Sequence, residues 1–274
     1  MTAGVLRRLV RSRVGQVGVA LTGLLVVLGL FGGVFAPADP FLPTGLPLKP
    51  PGGAHLFGTD DLGRDVLSGV LHGARISLLV GVVTAATAAF VGTAVGATAG
   101  FYGGSTDDLL MRLTEFVQVI PRFFLAVLVA ALFGPSIVFL VLLFGLTFWP
   151  GTARLVRSQV LSLREREYVV AARSVGLRDG RILVRHVLPN VLAIVLVSGA
   201  LQVGASILIE ASLSFLGLGD RTVVSWGYML NNAQPFLRSA PWLSVFPGLA
   251  LVITVLGTNL LADGLQATWE RPRT

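Results

Sequence analysis

The sequence has few charged residues, and those it has are unevenly chosen. Of its 274 residues only 13% are charged, about half the share of a soluble domain. Lysine occurs once, at Lys49, against 20 arginines, and cysteine is absent. Without cysteine the chain forms no disulfide and no thiolate metal site. The GxxxxGK[ST] loop that cradles ATP phosphates is also missing, as are the GxSxG and HExxH motifs. The sequence therefore offers no motif for binding ATP or for catalysis.

Apolar residues are abundant, at 54% of the chain, and give a mean hydropathy of +0.80. A helix crosses a bilayer with about 20 mostly apolar residues. Six segments reach this length and predict an all-α integral membrane protein: 14–36, 75–100, 109–133, 135–156, 191–217 and 243–262. The first is too long for the apolar part of a signal peptide, so we interpret it as a retained span. The net charge of +7 then reflects arginines beside spans, not nucleic-acid binding.

The spans divide the chain into predicted parts. These are an N-terminal tail (1–13), the first span (14–36), a Pro- and Gly-rich segment without a span (37–74), a five-helix core (75–262) and a C-terminal tail (263–274). The core includes an arginine-rich loop at 157–190 and a second non-spanning segment at 218–242. Three aromatic residues of that second segment are expected at the membrane interface: Trp226, Tyr228 and Trp242.

The arginines also predict the orientation of the chain. Cytoplasmic flanks of membrane spans carry an excess of Arg and Lys. If the N-terminus is cytoplasmic, the flanks on its side hold fourteen basic residues: Arg7, Arg8, Arg11, Arg13, Arg154, Arg157, Arg164, Arg166, Arg173, Arg178, Arg181, Arg185, Arg271 and Arg273. The opposite flanks hold four: Lys49, Arg64, Arg221 and Arg238. We therefore expect both termini and the loop 157–190 in the cytoplasm, and 37–74 and 218–242 on the other side.

Small residues crowd the second span at spacings of three and four. They are Gly81, Ala85, Ala89, Gly92, Gly96 and Gly100. In lipid, such a face lets two helices approach closely. The spacing fits close packing within this chain and a dimer interface equally well.

The arginine-rich loop has the composition of two short helices. Residues 162–174 favour a helix, Gly176 suits a left-handed cap, and 179–187 favour a second helix that ends before Pro189. Ala171 and Ala172 leave the backbone accessible to a partner, and the arginines around them can pair with acidic groups. A basic loop that only fixed the orientation in the membrane would need neither the Ala-Ala pair nor two short helices that end at a glycine and a proline.

The loop resembles the coupling loop of ABC importer permeases, on the string Ala171-Ala172-RSV-Gly176-LRDGRILVR-His186-Val187-Leu188-Pro189. The resemblance implies that a cytoplasmic ATPase docks here, on Ala171, Ala172, Arg173, Gly176, His186, Leu188 and Pro189. One position departs from the family pattern, because Val170 stands where the family has glutamate.

Three further stretches resemble the second permease subunit of peptide and nickel importers: LFGTDDLGRDVLSGVLHGARISL (56–78), ASLSFLGLG (211–219) and SWGYML (225–230). The resemblance implies the type I ABC importer permease fold with six spans. It implies no cofactor on this chain, since ATP is bound by partner subunits. The implied partners are a homologous permease, two ATPase subunits (identical or a heterodimeric pair), an extracytoplasmic solute-binding protein and the bilayer.

Three charged residues inside predicted spans are candidates for the translocation path or its gate. Glu115 and Arg122, in the third span, are seven residues apart and predicted on one helix face. Lining the path and an ion pair between helices are equally consistent with them. Glu210, late in the fifth span, is a gate or packing carboxylate.

No metal site is predicted, because His55, His72 and His186 fall in different parts of the predicted topology. Uptake of peptides is the favoured function, with nickel or a metal chelate as the alternative cargo. A rival of another class is a non-transport membrane protein whose basic loop recruits a cytoplasmic partner.

Overall fold

The computed structural model describes Leu9 and residues 12–270, most of which are helical. The helices are α1 (Arg13–Phe35), α2 (Val66–Tyr102), α3 (Gly104–Val119), α4 (Arg122–Phe133), α5 (Ile137–Thr147), α6 (Trp149–Arg164), α7 (Glu167–Ser174), α8 (Asp179–Ile182), α9 (Leu188–Phe215), α10 (Trp226–Ala233) and α11 (Trp242–Glu270). A π-helical turn, Leu183–Val187, joins α8 to α9, and a 3₁₀ turn, Gln234–Phe236, follows α10.

The predicted six-span layout is confirmed when one broken helix is counted as a span. Five helical runs are long and apolar enough to cross a membrane: α1, α2, α5 with α6, α8 with α9, and α11. The pair α3 and α4 makes the sixth, but its two helices meet at an angle of 66°. The third span is therefore bent and not continuous over 109–133 as predicted.

Two helices extend beyond the spans predicted from apolar length. The helix that contains the predicted span 75–100 begins at Val66, because Asp65 caps its N-terminus by accepting hydrogen bonds from the Ser68 backbone N–H and hydroxyl, both at 2.8 Å. The predicted C-terminal tail is helical as far as Glu270. Most of the N-terminal tail and residues 271–274 lie outside the described residues, as do five of the predicted cytoplasmic arginines: Arg7, Arg8, Arg11, Arg271 and Arg273.

The small residues of α2 pack within the chain, against α6. A side chain at Gly92 would meet Thr152 Cβ at 2.6 Å, and one at Gly100 would meet the Arg157 carbonyl at 2.9 Å. Between them, a side chain at Gly96 would collide with the Ala153 carbonyl. Backbones can approach this closely only where side chains are absent. The interpretation of these glycines as internal packing is therefore confirmed.

The bundle has two distinct ends. The arginine end carries Tyr102, Arg164 and the loop around α7 and α8. The opposite end carries residues 36–65, which fold into a compact loop with isolated bridges, and residues 216–241 with α10. Trp226 was predicted at the membrane interface, and this was wrong. It is 1% exposed, packs with Ala74 and Ile207, and donates from Nε1 to the Val70 carbonyl at 3.0 Å.

Candidate functional site

The arginine end is built around two short helices separated by a glycine. Gly176 has φ +83°, a conformation that residues with a Cβ rarely adopt. Its N–H donates to the Arg173 carbonyl at 2.8 Å, and the Leu177 N–H donates to the Ala172 carbonyl at 3.2 Å. This pair of bonds is a Schellman motif. The predicted left-handed cap at Gly176 is confirmed. The preceding helix, predicted at 162–174, is broken at residues 165–166, so that α6 ends at Arg164 and α7 begins at Glu167.

Two apolar side chains of the loop pack against the helices of the bundle. Val169 of α7 and Ile182 of α8 are both fully buried. They pack in one cluster with Phe101 of α2 and with Val156 and Val160 of α6. The loop is thus packed against the ends of α2 and α6.

The other side of the loop is exposed. Val170 is 51% exposed and Val175 83%, and Tyr168 and Ala171 are also exposed. We call these four residues the loop patch. Five arginines of the same loop are exposed as well: Arg166, Arg173, Arg178, Arg181 and Arg185. Arg173 stacks on the Phe101 ring at 5.2 Å and pairs with Asp179 at 3.3 Å. The loop therefore exposes apolar and basic side chains together.

The second loop helix was predicted to end before Pro189, and this was wrong. A π-helical turn carries the chain into α9, so that Asp179–Phe215 runs as one helix. Proline has no N–H to donate one turn back, and the π turn absorbs the change in register. The Asn190 side chain donates to the His186 carbonyl at 2.6 Å. Leu188 packs against the cluster under the loop. His186 and Pro189 are partly exposed and complete the set predicted from the sequence.

The second candidate region lies where the bend between α3 and α4 meets the junction of α5 and α6. The α3–α4 bend falls at Ile120 and Pro121, and α5 passes into α6 at Phe148. Pro150 offers no N–H to the Leu146 carbonyl one turn before it. The indole of Trp149 donates to that carbonyl at 3.0 Å, and Arg122 Nε donates to the next one, Thr147, at 3.0 Å. Side chains therefore satisfy both carbonyls freed at this kink.

The predicted shared face of Glu115 and Arg122 was wrong. The two residues lie on different helices, α3 and α4, on either side of the bend, so their spacing of seven does not place them on one face. Glu115 is exposed, and Arg122 is partly buried and stacks on the Phe148 ring at 4.5 Å. Neither residue takes part in an ion pair within the described residues, so the alternative of an ion pair between helices of this chain finds no support there.

Glu210 is buried at the opposite end of the bundle and holds α10 in place. It is 1% exposed, and its Oε1 accepts from the hydroxyls of Ser214 at 2.7 Å and Ser225 at 2.8 Å. Ser225 in turn caps α10 by accepting from the Tyr228 N–H. Oε2 is buried with no hydrogen-bond partner among the described residues. These contacts are those of a packing carboxylate that ties α9 to α10.

Carboxylates also order the loops at this end. Asp220 accepts from the Ile137 N–H at 3.1 Å, at the start of α5, and from the hydroxyl and N–H of Thr222. Burial alone would raise the pKa of Asp220, but the Thr222 and Ile137 donors hold the pKa below its ordinary value of 3.8. Asp60 differs, because burial raises its pKa despite hydrogen bonds from the Arg64 and Leu62 N–H groups. The Asp65 Oδ1 atom lies 3.0 Å from His55 Nδ1, within hydrogen-bond distance.

Two polar contacts inside the bundle were missed in the sequence. Arg157 makes a two-pronged ion pair with Asp107, at 2.6 and 2.5 Å, which joins α3 to α6. Gln202 donates to Thr152 at 2.7 Å and to Ser198 at 2.9 Å, which joins α6 to α9. The signal for the second contact was available, since Gln, Ser and Thr in an apolar span mark helix contacts.

Comparisons with known proteins agree with this architecture. The family described as the binding-protein-dependent transport system inner membrane component matches residues 92–272. The dipeptide transport system permease of Alkalihalophilus pseudofirmus is 40% identical over 220 residues, which cover 80% of this chain and 72% of that protein. The oligopeptide permease of Haemophilus influenzae is 42% identical over 215 residues, covering 78% and 69%. The oligopeptide permease of Bacillus subtilis is 35% identical over 258 residues, covering 93% and 84%. The chain belongs to the family of inner-membrane components of binding-protein-dependent transport systems.

Proposed function

We propose that this chain is one of two permease subunits in an ATP-driven importer of di- or oligopeptides. Family membership makes it a permease with the ATPase on separate subunits. The peptide cargo is supported by the printed names of relatives with 35 to 42% identity. A glutathione permease of Pectobacterium atrosepticum, 40% identical, is named for a peptide-like cargo as well. The loop patch is the single structural observation on which the coupling role rests.

The ATPase docks on the loop patch in this proposal. The excess of arginine supports a cytoplasmic position for the loop and for both termini in this proposal. A partner groove with an apolar floor and an acidic rim fits the patch and the exposed arginines of the same loop. Since Val169 and Ile182 seat the loop on α2 and α6, movement of the ATPase is passed to these spans. The solute-binding protein docks at the opposite end, on residues 36–65 and 216–241.

The path itself is shared with the second, homologous permease. An exposed charge inside a bilayer is costly unless it faces protein or a water-filled path. Glu115 is exposed on α3, and α3 and α4 expose many large apolar side chains besides. We place this broken span against the second permease, with Glu115 and Arg122 toward the path. We assign Glu210 a packing role beside the extracytoplasmic gate.

Nickel and the non-transport role are less well supported. Groups of three or more His, Cys, Asp or Glu able to hold a metal ion do not occur in the part of the chain that the structure describes. A permease need not hold its cargo with a fixed site, so this absence does not decide the cargo. The preference for peptides over nickel rests on the names of the relatives. The family match argues against a protein that only recruits a partner.

The experiment is ATP-driven uptake of a labelled peptide into proteoliposomes that contain both permeases, both ATPases and the loaded binding protein. Ala171→Glu puts a carboxylate into the loop patch, and Gly176→Pro blocks the left-handed cap and removes its N–H donor. We expect either change to lower uptake at least about tenfold. Ser105→Glu is the matched control, because Ser105 is exposed at the same end of the bundle. Wild-type uptake by Ala171→Glu and Gly176→Pro would remove the coupling role.

A further inference from the structure

Arg122, beside the junction of α5 and α6, lacks an acidic partner among the described residues. The ion pairs between arginine and a carboxylate there are Arg157 with Asp107, Arg164 with Glu165, and Arg173 with Asp179. Arg122 takes part in none of them. Its positive charge is therefore uncompensated by the described part of the chain.

Arg122 lies within the third span, directly after its bend. An arginine within a span is costly unless it faces protein or a water-filled path. Its position therefore points to a path or a partner as its counterpart.

The guanidinium of Arg122 is fixed in one orientation. Its Nε donates to the Thr147 carbonyl, and its plane lies over the Phe148 ring. Within the described part of the chain, neither terminal nitrogen donates to another group. Two parallel donors are thus left free on a side chain that is already held. A carboxylate bound end-on to two guanidinium nitrogens is the arrangement that such a fork recognises best.

We propose that Arg122 binds the C-terminal carboxylate of the transported peptide in the translocation path. This inference rests on the proposed function for its cargo. The carboxylate is the one anionic group that all unmodified peptides share, whatever their side chains. A site that reads it holds peptides of different sequence in one orientation. Because Thr147 and Phe148 already hold the guanidinium, binding costs little additional side-chain conformational entropy.

The test compares a peptide with a free C-terminus and the same peptide as its C-terminal amide. Both are presented on saturating binding protein, and uptake into proteoliposomes is counted per peptide bound to the binding protein. In the wild type we expect the amide to be taken up at about a tenth of the rate of the acid or less, the ratio for losing a charged hydrogen-bonded pair. Arg122→Gln should lower uptake of the acid to the level of the amide and leave the amide unchanged.

Two further variants separate charge from geometry. Arg122→Lys keeps the charge but not the fork, so we expect an intermediate preference for the acid. Arg112→Gln removes an exposed arginine of α3 and should leave the preference unchanged. Stimulation of the ATPase by loaded binding protein is measured alongside, because it reports on coupling independently of the carboxylate.

Three outcomes would overturn the proposal while leaving the importer function intact. The first is equal uptake of acid and amide by the wild type. The second is a loss of uptake by Arg122→Gln that is the same for both peptides. The third is a failure of the two permeases to assemble with Arg122→Gln, which would assign Arg122 to an acidic residue of the second permease. A failure of the importer function itself is distinguishable, since then the wild type takes up neither peptide.

Discussion

Two helices of eight residues, one at each end of the bundle, are held in opposite ways. α10 buries Trp226, Gly227 and Ala233, and its N-terminus is capped by Ser225, which Glu210 holds from α9. α7 buries only Val169 and has no side-chain cap. The first helix is part of the core, whereas the second rests on one anchor and keeps its other face free. A helix that is needed for the fold turns inward, and a helix that serves a partner exposes its surface.

The largest expected effect is on α10. Trp226→Ala leaves a cavity among α2, α9 and α11, and we expect a loss of about 3–5 kcal/mol in the free energy of unfolding. Thermal unfolding of the purified permease complex in detergent measures it. A destabilisation below about 1 kcal/mol would mean that α10 is not held as a core element, and the contrast with α7 would be lost.

Val169→Ala tests the single anchor of α7. The change removes two buried methyl groups, and we expect a loss of about 1–2 kcal/mol in stability. Coupling should suffer more than stability, because the loop patch is then no longer seated on α2 and α6. The measurement is the amount of peptide taken up per ATP hydrolysed. If Val169→Ala and the wild type have the same ratio, Val169 does not anchor the loop for coupling.

The buried carboxylate gives a smaller effect. Glu210→Gln keeps the shape of the side chain and an acceptor for the two serine hydroxyls. We expect about 1 kcal/mol of destabilisation, since the amide puts an NH₂ group at the buried position of Oε2, where no acceptor lies among the described residues. Ser225→Ala should cost a similar amount by removing the cap as well. A double variant that costs the sum of the two would show that the residues do not act as one unit.

Asp220→Asn makes a prediction about pH. The folded pKa of Asp220 lies below its ordinary value, so its stabilising effect is present above pH 3.8 and is lost as the pH falls through the folded pKa. We expect about 1 kcal/mol of destabilisation by the variant at pH 7, and a difference that narrows below pH 3.8. A difference that is independent of pH would exclude the charge of Asp220 as the cause.

Tyr168→Ala should have the smallest effect on stability, within about 0.5 kcal/mol, because Tyr168 is 42% exposed. Its effect on ATPase binding should nevertheless be measurable, since it removes part of the loop patch. This combination is the reverse of that expected for Trp226→Ala. Pull-down of the ATPase by the two variants compares them directly.

The number of spans, the arginine-rich loop and its glycine cap followed from the sequence alone. Apolar length predicts spans because the bilayer sets a minimum, and Gly176 was recognisable because few other residues tolerate its conformation. Val170 was noticed as a departure from the family, and the structure places it on the exposed patch.

The breaks within the spans were not predictable from hydropathy. Apolar length does not reveal a break, because a proline in a membrane helix leads to a kink, a π turn or a clean break depending on what satisfies the freed carbonyls. Here Trp149 and Arg122 supply the donors, from a neighbouring residue and from another helix. The inward turn of Trp226 depended in the same way on a distant partner, the Val70 carbonyl.

The most direct test of the account is binding of the ATPase to the assembled permease pair, measured together with ATP-driven uptake, for Ala171→Glu beside Ser105→Glu. Both variants add one carboxylate at an exposed position on the same end of the bundle. The account predicts that Ala171→Glu loses ATPase binding and uptake by at least about tenfold, while Ser105→Glu keeps both. Equal binding and uptake by the two variants would contradict the assignment of the loop patch as the coupling surface.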